Sequence, residues 1–337
     1  MKNVLFGKLG QTIVFDRNHP DAIRSNTNGN YEAYNMLQLL LDHMQTNVFV
    51  VEDNIITTLE QQRQYLNLRL ITDAEPIIDC AFILLGVDKT KVSPMLLKII
   101  NSGIKWYALA TDPRCLTALT DIIENPPEEV FAGANDITCV IGGKRFDTKY
   151  LNLESASVLG ELPSRNIKSK HNDLVVIANE TNTWDRIADV KAMTGCICPQ
   201  FVHIYGRCKD EDKDERFRGE KTIQFIYNAQ LLSKVTYVAP ISRGWITAKY
   251  IESITRGVIP LFSYDYAYTV SSFIQDIEDV DPNLIVSTPQ ELSRMYENIV
   301  SNDSYYKKTI RALQKMVTEK YSPELLRKRL LKLINKE

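Results

Sequence analysis

Apolar residues along this chain fall into two rhythms. Short unbroken runs, VLFG at 4–7, VFVV at 48–51, AFILLG at 81–86 and WYALAT at 106–111, have the length and composition of strands buried on both faces. Between them the apolar positions are spaced as on a helix: YEAYNMLQLLLDHM at 31–44, a more polar stretch over 59–68, and a segment opening at Ser93-Pro94. Strands alternating with helices predict a parallel sheet covered on both faces. A polar segment without periodicity, LGELPSRNIKSKHN at 159–172, reads as a linker. The alternation then restarts, with DLVVIAN at 173–179 as a strand, IADVKAM at 187–193 as a helix, FVHIYGR at 201–207 as a strand ending in glycine, and FIYNAQLLSKVTYV at 225–238 as helix and strand.

The densest signal is VTYVAPISRGWITAKYIESITRGVIPLF at 235–262. It predicts a strand, a loop carrying Gly244, a helix over 247–256, a stop at Gly257 and a strand over 258–262. In open parallel sheets ligands collect at loops beyond the carboxyl ends of strands. Lys249 and Glu252 are three apart and share one helix face; a cation and a carboxylate there suit a diphosphate and a ribose, and the same spacing also describes an ordinary solvated pair. Two further segments sit at strand ends. GKLGQ at 7–11 puts Gly7 and Gly10 in a loop where backbone amides can approach a ligand, without the G-x-G-x-x-G spacing. ATDPRC at 110–115 sets Asp112 just past a strand, at the rim of a cleft or as the N-cap of a helix begun by Pro113.

At 337 residues the chain exceeds one ordinary core, so two domains are expected. A composition 44% hydrophobic and 24% charged is that of a soluble globular protein. No apolar run reaches the ~18 residues of a membrane span, and MKNVLFGKLG lacks a signal-peptide layout, so a cytoplasmic protein without membrane contact is expected. The six cysteines are scattered, as reduced thiols would be. Cys196, Cys198, Cys208 and His203 are of zinc-ligand types but lack the common finger spacing, and Asp210 and Asp212 lie in a charged run, 209–221, that reads as solvated loop; no metal site is expected. No P-loop, His-Glu-x-x-His or Gly-x-Ser-x-Gly is present. The net charge of −2 hides an imbalance: residues 305–337 hold ten Lys or Arg against three Glu. Such a tail either faces an anionic polymer or is the solvated side of a terminal helix.

The arrangement within 244–260, a glycine, a loop, a basic residue, two residues, glutamate, four residues, glycine and Val-Ile-Pro, resembles the donor-site helix of GT-B glycosyltransferases. In that family the glutamate takes the ribose hydroxyls of a nucleotide sugar, the basic residue faces its phosphates and the glycine ends the helix. The resemblance puts Glu252, Lys249 and Gly257 in those places, with Gly244, Thr247 and the strand-end Gly206 beside the donor. Arg186 stands for one phosphate-binding arginine of the preceding loop, and Thr183 stands where a second is expected. Within GT-B the chain is most similar to phage DNA glucosyltransferases, which put a sugar on 5-hydroxymethylcytosine. Thr111, Asp112 and Arg114 match a Thr-Asp-x-Arg segment whose aspartate is the catalytic base of the β-transferring members; Gly7 and Gly10 match the loop in the interdomain cleft.

The resemblance implies an α/β fold of GT-B type: Rossmann-like domains at 1–165 for the acceptor and 166–320 for the nucleotide sugar, parallel sheets facing across a cleft, and a C-terminal helix over 321–337 crossing back to the first domain. It implies inverting transfer from UDP-glucose or a UDP-pentose to the hydroxymethyl group of a modified pyrimidine in double-stranded DNA. A monomer is expected, in the host cytoplasm if phage-encoded, with no required cofactor and Mg2+ as an accessory. The alternatives are a GT-B enzyme acting on a small molecule, protein or cell-wall polymer, and a nucleotide-binding GT-B protein without transfer activity.

Overall fold

The computed structural model describes residues 1–337 except 17–18, 20–29, 44, 73–75, 165–169, 179–185, 207–213, 240–244, 246, 265–270 and 336–337. The chain forms two compact units, Met1–Leu159 with Pro323–Glu337, and Gly160–Ser322. Labels below count the strands of the two main sheets and the α-helices.

In the first unit β1 (Lys2–Leu9), β2 (Thr46–Val51), β3 (Leu68–Ile71), β4 (Cys80–Leu85), β5 (Trp106–Ala110), β6 (Glu129–Ala132) and β7 (Lys149–Tyr150) make one sheet in the order β7-β6-β5-β4-β1-β2-β3, every pair parallel. Helices α1 (Asn30–Leu41), α2 (Leu59–Gln64), α3 (Pro94–Asn101) and α4 (Cys115–Ala118) connect them. The unbroken apolar runs behave as their composition demands: β4 and β5 are buried at every residue. The helical stretch expected over 59–68 is shorter. A capping box between Thr58 and Gln61 starts α2, which stops at Gln64, and Leu68–Ile71 pairs with β2 as an edge strand.

Gly7 is not in a loop. It lies within β1, and a Cβ there would come 2.8 Å from the Leu96 side chain of α3, so glycine serves the close approach of helix to sheet. Gly10 does follow the strand end.

The second unit repeats the plan with β8 (His171–Ile177), β9 (Val202–Tyr205), β10 (Phe217–Gly219), β11 (Ser233–Val238), β12 (Ile259–Ser263) and β13 (Ile285–Val286), ordered β10-β9-β8-β11-β12-β13 and all parallel. Its helices are α5 (Arg186–Met193), α6 (Ile223–Leu232), α7 (Ala248–Thr255), α8 (Ser271–Val280), α9 (Pro289–Ser301) and α10 (Asp303–Lys320). Counted within its own sheet, the second unit has the doubly wound order 3-2-1-4-5-6 and the first has the same order with a seventh strand beyond the sixth, so the direction of winding reverses between β1 and β4 and between β8 and β11.

The chain returns to the first unit with α11 (Pro323–Ile334), whose Leu326, Leu330 and Ile334 join the core formed by residues such as Phe6, Phe82 and Leu153. Tyr107 Oη donates to the Leu333 carbonyl at 3.3 Å, and Arg329 Nη1 to Asn152 Oδ1 at 2.9 Å. The basic segment 305–337 is therefore divided between α10 in one unit and α11 in the other. Several of its cations are already engaged: Lys307 with Asp303 at 3.0 Å, Lys320 with Asp276, and Arg327 with Glu324.

Candidate functional site

The helix α7 follows β11, one of the two strands between which the second sheet reverses its winding, and leads into β12. Thr247 is its N-cap and Arg256 its C-cap. Tyr250, Ile251 and Ile254 are buried against the sheet, with Tyr250 stacked on Phe262 at 4.3 Å and 9°. At the other end Gly257 donates to Ile254 O at 3.0 Å and Val258 to Ser253 O at 2.8 Å. That is a Schellman stop. It needs the left-handed backbone that Gly257 supplies at φ +77°.

The polar residues of α7 are not a solvated face. Glu252 is 6% exposed and Arg256 6%. Lys249 Nζ donates to Glu252 Oε2 at 2.7 Å, and Arg256 Nη1 reaches the same oxygen at 3.3 Å. Burying a carboxylate is unfavourable unless cations and donors replace its water, and these two cations do so. At the helix start the Thr247 hydroxyl, 7% exposed, has no hydrogen-bond partner and does not cap the helix. An unspent hydroxyl at a helix N-terminus, whose first amides point outward, suits an anion.

A third cation lies at the C-terminal end of the same helix. Lys170 is buried, and its Nζ donates to the carbonyls of Gln230, Leu231, Ser233 and Arg256 at 3.4, 2.8, 3.0 and 3.0 Å. Burial pulls its pKa down to about 7. Against that, the ends of α6 and α7 present carbonyls and negative dipole ends, which favour the ammonium.

In the first unit Asp112 follows β5 in a tight turn. Its Oδ1 accepts from Arg114 N at 2.9 Å and from Arg114 Nε at 2.9 Å, and its Oδ2 from Arg114 Nη2 at 2.6 Å. The backbone bond and Cys115 N→Asp112 O at 3.0 Å make Asp112 the cap of the turn, while the N-cap position of α4 itself falls on Arg114. Cap and candidate base are thus compatible. A carboxylate has about four acceptor directions, and Oδ2 is engaged by a single, half-exposed arginine.

Gly206 follows β9, its amide donating to Gly219 O at 3.1 Å. Arg186 begins α5, which fixes its backbone at the start of a helix. Gly244, Thr183, Cys208, Asp210 and Asp212 lie outside the described residues. Among the described residues no three His, Cys, Asp or Glu side chains come together. Among the described residues no helix is long and apolar enough to cross a membrane.

Sequence reasoning paired Glu252 with Lys249 but missed its second partner, Arg256. Arg256, next to the stop glycine, forms a fork with Glu161 at 2.7 and 3.1 Å, bonds Gln230 Oε1 and lies 4.7 Å from the Tyr227 ring. No local pattern joins residues so far apart in the chain.

No protein-family model and no curated protein sequence matches this chain. Solved structures do. T4 phage β-glucosyltransferase in complex with UDP-glucose aligns over 100% of both chains at 12% identity and TM-score 0.67, and that enzyme has also been solved with UDP and Mn2+. An α-glucosyltransferase in complex with UDP and a 13-mer DNA containing a HMU base aligns over 100% of both at 9% identity and TM-score 0.65. Anabaena HepE in complex with UDP and glucose covers 99% of this chain and 100% of its own at 10% identity and TM-score 0.58. With two Rossmann-like units, each built on a parallel doubly wound sheet, this chain has the GT-B glycosyltransferase fold.

Proposed function

We propose that the protein transfers a sugar from a nucleotide sugar, a UDP-hexose or UDP-pentose, to the hydroxymethyl group of a modified pyrimidine in double-stranded DNA, with inversion. The observation that carries this reading is α7, where a buried Glu252 and its half-buried partner Lys249 accompany an unpartnered Thr247 hydroxyl on the helix that follows β11, beside the winding reversal of the sheet. Charged groups buried at such a position are expensive for stability alone and are common where ligands bind. Glu252 accepts from the ribose hydroxyls. Lys249, Arg186, Thr247 and the amides around Gly244 take the diphosphate.

A hydroxymethyl group attacks poorly until its proton is removed. Asp112 takes that proton as the acceptor oxygen bonds to the anomeric carbon, the carbon–oxygen bond to the diphosphate breaks, and the nucleoside diphosphate leaves with the electron pair. Attack from the face opposite the leaving group inverts the centre. Incubation with a panel of nucleotide sugars and hydroxymethylated duplex DNA, read by mass, tests the proposal: a DNA mass gain of one sugar supports it, and donor turnover without DNA gain refutes the acceptor.

The net charge of −2 and the division of the basic segment between two units favour a second reading, a GT-B enzyme whose acceptor is not DNA. Duplex binding separates the two. Phosphate contacts make affinity fall steeply with salt, so an affinity unchanged between low and moderate salt selects the non-DNA acceptor.

A further inference from the structure

We infer that Arg256 is a positioning residue for the donor site, holding the Glu252 carboxylate in place for ribose while Glu161 holds Arg256. The inference rests on the donor role proposed for α7. Arg256 touches Glu252 from one turn further along the helix, and three other groups fix the guanidinium: the Glu161 carboxylate through Nε and Nη2, Gln230 Oε1 through Nη1, and the Tyr227 ring. Gln230 is itself tied to Ser253 Oγ at 3.2 Å. Four side chains, from α6, α7 and the segment carrying Glu161, therefore converge on one planar cation, which has the geometry to serve them together as a lysine would not.

The charges suggest why two cations share Glu252 Oε2. Lys249 and Arg256 balance Glu252 and Glu161, so the cluster is neutral before a donor arrives. A diphosphate brings negative charge to the helix start, and Lys249, 21% exposed along its side chain, is the cation able to turn toward it. Arg256, 7% exposed along its side chain and locked by Glu161, stays behind. It keeps Glu252 compensated and oriented at the moment Lys249 leaves. Glu161 adds a further link: it lies two residues beyond Leu159, and the same short segment bonds α7 again through Ser164 N→Thr255 O at 2.8 Å.

The test uses the full chain and calorimetric titration with UDP and with 2′-deoxy-UDP, which lacks a ribose hydroxyl. Wild type should prefer UDP. Arg256→Lys keeps the positive charge and loses the fork; it should weaken UDP by roughly tenfold while changing 2′-deoxy-UDP little, so that the preference collapses. Glu161→Gln, a milder change, should reduce the preference in the same direction and decides the matter if Arg256→Lys does not fold. Preference retained in both variants, or both nucleotides weakened in parallel, overturns the positioning role, since a merely structural arginine would not act on one hydroxyl. Wild type that binds UDP without preference overturns it as well. Wild type that binds neither nucleotide refutes the donor reading itself, an outcome distinct from the others.

Discussion

Glu252 and Asp112 are both carboxylates in segments that follow a strand of a parallel sheet, each paired with a basic residue close by in sequence. Their surroundings differ. Asp112 is bonded by Arg114 and Cys115 of its own turn, and its side chain is 22% exposed. Glu252 is buried in a cluster that draws on residues from 161 to 256. A group held only by its own turn can change partners without disturbing the sheet, which a proton acceptor needs. A group held by several elements is preorganised and couples binding to stability.

The sharpest test of this contrast is Asp112→Asn. Asparagine caps about as well as aspartate, so the melting temperature should hold, while transfer at saturating donor drops by roughly 10²-fold or more, the usual scale of general-base catalysis. Turnover within a few-fold of wild type would leave Asp112 a cap and nothing else. In the second unit Lys170→Met strips a donor from four carbonyls and should cost about 2–3 kcal/mol by denaturant titration. The pH dependence gives a finer reading. With a folded pKa near 7 against 10.5 unfolded, the unfolded chain binds the extra proton between those values, so Lys170 adds stability as pH rises from about 7 to about 10. The gap between wild type and Lys170→Met should widen over that interval; a constant gap means that the carbonyls keep the ammonium charged.

Glu252→Gln should weaken donor binding by about 1–3 kcal/mol through lost charge-assisted bonds, and, unlike Asp112→Asn, should also lower stability by leaving Arg256 undercompensated. Unchanged donor affinity would return Glu252 to a purely structural cluster. The smallest effect expected is that of Gly257→Ala, about 1 kcal/mol of stability for an alanine forced into the left-handed region. Its new methyl would sit 3.1 Å from Lys170 Cε.

The α/β class and the limits of α7 were legible because they rest on local rules: apolar runs of strand length, a helical repeat, and a glycine where the helix must stop. Leu68–Ile71 escaped notice because a four-residue edge strand directly after a polar helix carries almost no period of its own. Gly7 misled for a related reason. A glycine near a strand end reads as a loop residue, and only the packed Leu96 reveals that the missing side chain makes room for a helix. The pairing of Lys249 with Glu252 could be read from spacing, but its burial could not, since charge patterns ordinarily point to solvent. Arg256 and Glu161, 95 positions apart, had no local signature at all.

The return of the chain to its first unit bears on how the protein is made. Leu326, Leu330 and Ile334 fill places in a core whose other members are almost all synthesised before residue 160. At ~5–20 residues per second, a ribosome reaches them roughly ten to thirty seconds after the rest of that core is available. During this interval the sheet of the first unit waits with apolar seats uncovered while the second unit is made, and the last residue of that unit, Ser322, precedes Leu326. Emergence from the ribosome thus reverses the order of completion: the half begun second is the first able to close.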